Sequence, residues 1–243
     1  MTTNIRAALI AGTAALLATG AHGAVVTNWT FNTAANTADL GDGEMIAVET
    51  SVRTVSLSKK KPRKGATQVA NRALEVLNFD AQLSRSGYDG ISFVADTTSF
   101  QDLSVSFSQL NGVRSSAWAQ FQYSVDGGVT FITTGLANDG KYRVAASKTF
   151  QLFTFDLSGV TEVNNNDDLQ FRVMAIHAPG MDNFVATAGK RYSATGATAT
   201  WKFDQVTVNG STLAPANVVP APGAVALLMV AGTIATGARR RNP

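Results

Sequence analysis

Residues 103–110 read Leu-Ser-Val-Ser-Phe-Ser-Gln-Leu. Leu103, Val105 and Phe107 fall on one side of an extended chain and Ser104, Ser106 and Ser108 on the other, because successive side chains of a strand point to opposite faces. At 3.6 residues per turn a helix would scatter those apolar residues around its axis, so the stretch predicts a strand with one buried face. The same period recurs outward. Residues 118–124 (WAQFQYS) put Ala119, Phe121 and Tyr123 on one face and Trp118, Gln120 and Gln122 on the other. Residues 169–176 (LQFRVMAI) carry apolar side chains on both faces, interrupted by Arg172, which predicts a central strand covered on both sides.

Turn chemistry separates these runs. Asp126-Gly127-Gly128 predicts a tight hairpin turn joining residues 123–124 to 129–131, since Gly and Asp tolerate positive φ. Further strands are expected near residues 25–31, 44–57, 73–79, 91–95, 152–157 and 199–208. Nothing of helical period lasts beyond a turn or two. Many short strands with polar turns predict an all-β domain over residues 24–215, a two-sheet antiparallel sandwich of jelly-roll-like kind. Trp29 and Trp201 lie on strongly apolar strand faces and are predicted core residues. In residues 199–208 (ATWKFDQVTV) the apolar parity changes between Phe203 and Val206. One face stays buried only if a β-bulge absorbs an extra residue near Asp204 and Gln205, turning Asp204 inward as a structural acceptor.

The 243 residues carry a formal charge of +3 and no cysteine, so neither disulfides nor thiolate chemistry contributes. The positive excess belongs to the ends: with Arg6 and Arg239, Arg240 and Arg241 set aside, residues 24–219 hold 16 basic against 17 acidic residues. The part that folds has no surplus to neutralise phosphates, which excludes nucleic acid as a partner. One basic cluster, residues 59–64 (KKKPRK), reads as a solvated loop; its functional reading is an anchor to acidic polysaccharide or anionic lipid headgroups.

Both ends read as sorting signals. Residues 1–23 show Arg6, an apolar segment over 7–18 and small residues before Ala24, the order of a secretory signal peptide cut by signal peptidase. The tail, residues 216–243, holds Pro220-Ala221-Pro222, an uncharged run over 223–238 and the arginine cluster. Its 16 residues make a helix of roughly 24 Å against a hydrocarbon core of roughly 30 Å, a short transmembrane helix with its arginines held on the cytoplasmic side.

The order of segments, a signal peptide followed by ALEVLNFDA, YSVDGGVTF, FDLSGVTEVNNNDDLQFRVMAI, TWKFDQVTV and VPAPGAVALLMVAGTIATGARRR, resembles the PEP-CTERM proteins of Gram-negative bacteria. In that family the tail is a Pro-Glu-Pro signal, a hydrophobic helix and an arginine cluster; here Ala221 stands in the place of the glutamate. The resemblance implies export, temporary retention in the inner membrane, processing by an exosortase-type sorting protease near residues 219–222, and delivery to the cell surface or extracellular matrix.

Little in the middle points to catalysis. His177 is the sole histidine outside the signal peptide, and no Gly-x-Ser-x-Gly elbow accompanies it. Asp167 and Asp168, adjacent in a turn, are expected to cap backbone amides. Ca²⁺ is the one ion the residues suggest, with Asn164, Asp167, Asp168 and Asp204 as candidate ligands. For polysaccharide, Trp118 is the first candidate contact, a flat ring on the polar side of its strand with Gln120 and Gln122 in line. Tyr192, in the small-residue loop GKRYSATGATA, is the second. The expectation is an exported, non-enzymatic surface or matrix protein that binds exopolysaccharide. Its alternative is an extracellular glycan-active enzyme using carboxylates, for which no acid–base pair stands out.

Overall fold

The computed structural model describes residues 23–33, 36–57 and 71–213. The chain divides into a unit over residues 1–212 and a second over 213–243, and the fold below is that of the first. Its strands are β1 (Ala24–Trp29), β2 (Gly43–Val48), β3 (Ser51–Ser56), β4 (Arg72–Leu77), β5 (Gly90–Ala95), β6 (Phe100–Asn111), β7 (Trp118–Ser124), β8 (Lys141–Arg143), β9 (Gln151–Asp156), β10 (Leu169–Ala175) and β11 (Trp201–Thr212).

They build two antiparallel sheets, one ordered β3-β4-β11-β6-β9 and the other β2-β5-β10-β7-β8. The first sheet is centred on its two longest strands, β6 and β11. The free edge of β11 is shared: β4 pairs with Trp201–Phe203, and β1 pairs further on, from Val206 to Gly210. Only the β3–β4 and β7–β8 connections stay within one sheet, so the chain crosses the sandwich at nearly every step.

The alternation read in residues 103–110 sets the core. Leu103, Val105 and Phe107 are fully buried, and the serines between them are half-buried on the outer side. Rings from both sheets meet in the middle: Phe121 of β7 stacks on Phe155 of β9 at 4.2 Å, and Trp29 of β1 sets its edge on Phe93 of β5 at 5.1 Å. Such pairs add about 0.5–1.5 kcal/mol each beyond the area they bury. Trp29 and Trp201 are core residues, 1% and 0% exposed. β10 is the middle strand of its sheet, as its two-sided apolar run requires.

The bulge lies where the parity changed. The register of β11 on β6 shifts between Asp204 and Thr207, Gln205 takes φ 51° and is exposed, and Phe203, Val206 and Val208 all remain buried. Asp204 does not turn inward as expected. It keeps the outward parity of Lys202, half-buried, and its Oδ1 accepts the Gln205 N–H at 2.8 Å. The extra residue is taken up after Asp204, so it is Gln205 that is re-aimed.

Two strand expectations are corrected. Residues 44–57 are two strands in different sheets, divided where Glu49 adopts φ 51°, a left-handed conformation that ends an extended run. The turn at Asp126 is present, with φ of 69° at Gly127 and 87° at Gly128, but residues 129–131 do not return as a strand. Asp126 Oδ1 takes the Thr130 N–H at 2.9 Å, and pairing is reduced to a single Tyr123–Ile132 bridge. On the side away from β10, the antiparallel neighbour of β7 is β8. Gly128 is favoured by its positive φ of 87°, and a Cβ there would have to displace the end of the Gln170 side chain.

Among the described residues no helix is long and apolar enough to cross a membrane. The expected signal peptide, the basic cluster at 59–64 and the tail with its helix over 223–238 lie outside the described residues.

Candidate functional site

The outer face of the second sheet follows from the alternation of β7. With Ala119, Phe121 and Tyr123 buried, Trp118, Gln120 and Gln122 emerge half-buried on the opposite side. Register places Gln122 beside Arg172 of β10, Gln120 beside Met174 of β10 and Lys141 of β8, and Trp118 beside Arg143 of β8. Two long polar side chains and one indole therefore lie in line along a single strand, with cations on both flanks.

These side chains are already ordered. Arg172 Nε donates to Gln122 Oε1 at 2.6 Å, Gln122 Nε2 donates to Gln120 Oε1 at 3.0 Å, and Gln120 Nε2 donates to the Asp139 carbonyl at 2.9 Å. Each amide has one end accepting and the other donating, which fixes its orientation while leaving further lone pairs and hydrogens to face outward. The relay ends on the one-turn 3-10 segment Ala137–Gly140, where Asn138 and Asp139 both hold left-handed backbone, at φ 53° and 54°. Asn and Asp tolerate this conformation better than other side chains. Gly140 must be glycine, since a Cβ there would overlap the Phe121 carbonyl; its close approach brings β8 against β7.

Beyond the relay, Trp118, Asn138, Asp139, Lys141 and Pro179 enclose a hollow of about 460 Å³. A second, of about 310 Å³, shares Lys141 and Pro179 and takes in Gln120, His177 and Met181. Lys141 Nζ stands 3.6 Å from the Asp139 carboxylate, both heads largely in solvent, so the pair is weak and open to exchange with a ligand. A larger hollow of about 580 Å³ opens along β8 and β9, and another of about 500 Å³ lies between the loop at residues 132–135 and the loop at residues 159–162. What sets the Trp118 end apart is its ordered amide row.

The other expected site residues stand elsewhere. Tyr192 is buried: its ring stacks on Phe184 at 4.9 Å, its hydroxyl donates to the Asp80 carbonyl at 2.7 Å, and burial pushes that hydroxyl up from its ordinary range. The small residues around it let the loop fold down over Phe184, so only the ring margin reaches a separate hollow with Gln82 and Arg191. The asparagine turn is occupied with backbone. Asn164 and Asn165 accept the N–H groups of Asp102 and Ser99, and Asn166 accepts that of Asp168 at 2.7 Å. Asp204 is pushed up by burial, against the pull of its Gln205 hydrogen bond. Among the described residues no three His, Asp or Glu side chains converge as a metal site would need. His177 faces the Ser84 carbonyl through Nε2 at 3.0 Å and sets its ring against Phe184 at 4.6 Å, so it is engaged with backbone and a core ring.

Sequence reading missed Lys141, Asn138 and Asp139, which reach the site through a turn without periodicity. It noted Arg172 only as an interruption, although a lone charge inside an apolar strand was the available signal.

No family model and no curated protein matches this chain. Several solved structures are similar to it over most of its length, at low identity and with TM-scores below 0.5. The CBM22-1–GH10 modules of an endo-1,4-beta-D-xylanase from Clostridium thermocellum are 13% identical, with a TM-score of 0.43 over 79% of this chain and 30% of that one. The CBM22 tandem domain of a Paenibacillus barcinonensis protein is 11% identical, with a TM-score of 0.44 over 82% of this chain and 48% of that one. This chain thus spans less than half the length of either. A xylan-binding domain from CBM 22 is 11% identical, with a TM-score of 0.41 over 80% of this chain and 99% of that one.

Proposed function

We propose that this chain is an exported, non-enzymatic surface or extracellular-matrix protein whose sandwich, jelly-roll-like in its repeated crossing between sheets, binds polysaccharide along the outer face of β7. The observation that carries the binding role is the Trp118 ring beside the pre-ordered amides of Gln120 and Gln122. An indole face packs against the C–H surface of a pyranose, while amides read hydroxyls as both donors and acceptors. Because the relay already holds these side chains, binding sacrifices little further rotamer freedom. Export and sorting rest on the family resemblance. In this reading signal peptidase removes residues 1–23, and an exosortase-type protease acts at Pro220-Ala221-Pro222 while Arg239, Arg240 and Arg241 hold the precursor in the inner membrane.

The test of binding uses the full-length chain on immobilised polysaccharides. Trp118→Ala should weaken binding about tenfold or more, equivalent to about 1.4 kcal/mol, with the far-ultraviolet spectrum retained. Binding equal to the parent protein would sink the site, and release of reducing ends would make the protein an enzyme. Sorting is tested by mass spectrometry of the protein exported by its own host. Its C-terminus should lie upstream of residue 223, and mature chains still ending in Arg241-Asn242-Pro243 would overturn that part.

A further inference from the structure

The polar row on β7 ends in a cation whose binding capacity is unspent. Arg172 is half-buried on the outer face of β10, its guanidinium lying over the Phe131 ring at 3.8 Å while Nε donates to Gln122 at 2.6 Å. Those two contacts fix both the plane and the direction of the head. Among the described residues its two terminal nitrogens take no hydrogen bond and no carboxylate forms an ion pair with it. On the same face carboxylates stand at Asp126, whose Oδ1 takes the Ser124 hydroxyl and the N–H of Thr130 next to Phe131, at Asp139, already beside Lys141, and at Glu44 on β2, two strands away and one row along. Lys141 and Arg143 on β8 add positive charge at the Trp118 end.

A guanidinium partly withdrawn from water and left unpaired is costly, and one held rigid with a free fork is suited to a planar anion taken by two parallel N–H bonds. A carboxylate has that geometry; a neutral hydroxyl uses only half of it. Gln122, opposite Arg172, lies four residues along β7 from Trp118, or about 13 Å at strand rise. A glycan laid along the strand with one ring on Trp118 therefore carries a later residue to Arg172.

We infer that the face selects acidic polysaccharides, with the terminal nitrogens of Arg172 receiving the carboxylate of a uronic acid residue. The inference rests on the polysaccharide-binding reading above and adds the chemical class of its ligand.

Calorimetric titration of the full-length chain with polygalacturonate and with its fully methyl-esterified form tests it, because esterification removes the charge and keeps the backbone. The free acid should bind about tenfold tighter, and salt near 1 M should shrink the difference by screening. Arg172→Gln should bring the free acid down to the affinity of the ester. Arg172→Lys, which keeps the charge without the fork, should retain only part of the preference, and it decides the matter if the glutamine variant fails to fold. Equal binding of both forms by the parent protein would overturn the acid class and leave polysaccharide binding standing. A full preference surviving in both variants would also overturn it, by showing that other cations, such as those of residues 59–64, carry the selectivity. Failure to bind any polysaccharide, neutral ones included, would remove the underlying reading as well.

Discussion

Replacing Trp201 with alanine is expected to destabilise the sandwich by about 3–5 kcal/mol, which for a domain of this size removes much of its stability. Trp201 is fully buried, packs on Phe79 at 4.8 Å and on Phe203 at 6.2 Å, and pairs with Val76 of β4 and Asn111 of β6. Alanine leaves a cavity that neighbours held on two strands cannot close. It also removes the indole N–H that donates to the Ser116 carbonyl at 3.0 Å, although that oxygen keeps the Asn111 amide at 2.8 Å. Trp201→Phe should accordingly cost distinctly less. Urea unfolding followed by far-ultraviolet circular dichroism measures both. A loss below about 1 kcal/mol for alanine would mean that the two sheets do not pack as described.

Glu75→Ala should cost about 3 kcal/mol at neutral pH, the lower end for breaking a buried pair, because the Arg53 side chain is 60% exposed and can turn to water. Glu75 itself is 4% exposed. It accepts from Arg53 Nε at 2.7 Å and Thr200 Oγ1 at 3.1 Å, with Lys202 Nζ at 3.5 Å, so three strands meet on one carboxylate. Burial pushes this carboxyl up, but the Arg53 hydrogen bond and the charges of Lys202 and Arg53 outweigh it and hold it below its ordinary 4.5. A folded pKa below the unfolded one adds stability above the unfolded value, and that stability is lost as pH falls through the folded value. The gap between parent and Glu75→Gln should therefore be full at neutral pH and close in acid below 4.5. Asp89 and Asp204 run the other way: burial raises both, so their protonation favours the folded state as pH falls and offsets part of the acid loss. Equilibrium unfolding at several pH values checks the sign. A gap that widens in acid would refute the ion pair as its source.

How much of this was legible beforehand divides along one physical line. Side-chain alternation is a property of a single extended chain, so residues 103–110, 118–124 and 169–176 announced their strands, their buried faces and the two-sheet sandwich. The parity break in residues 199–208 announced the bulge for the same reason, and Trp118, Gln120 and Gln122 announced a polar face. The sorting signals proposed for the two ends rest on order and composition alone, and those segments lie outside the described residues. What lies across strands was not readable. That residues 44–57 divide between two sheets, that β8 and not residues 129–131 flanks β7, and that Tyr192 folds down onto Phe184 depend on which chain segments become neighbours. The free fork of Arg172 is the clearest case. Its plane is set by Phe131 from a turn and by Gln122 from the next strand, partners 41 and 50 residues away in sequence, and only the packed sandwich brings the three together.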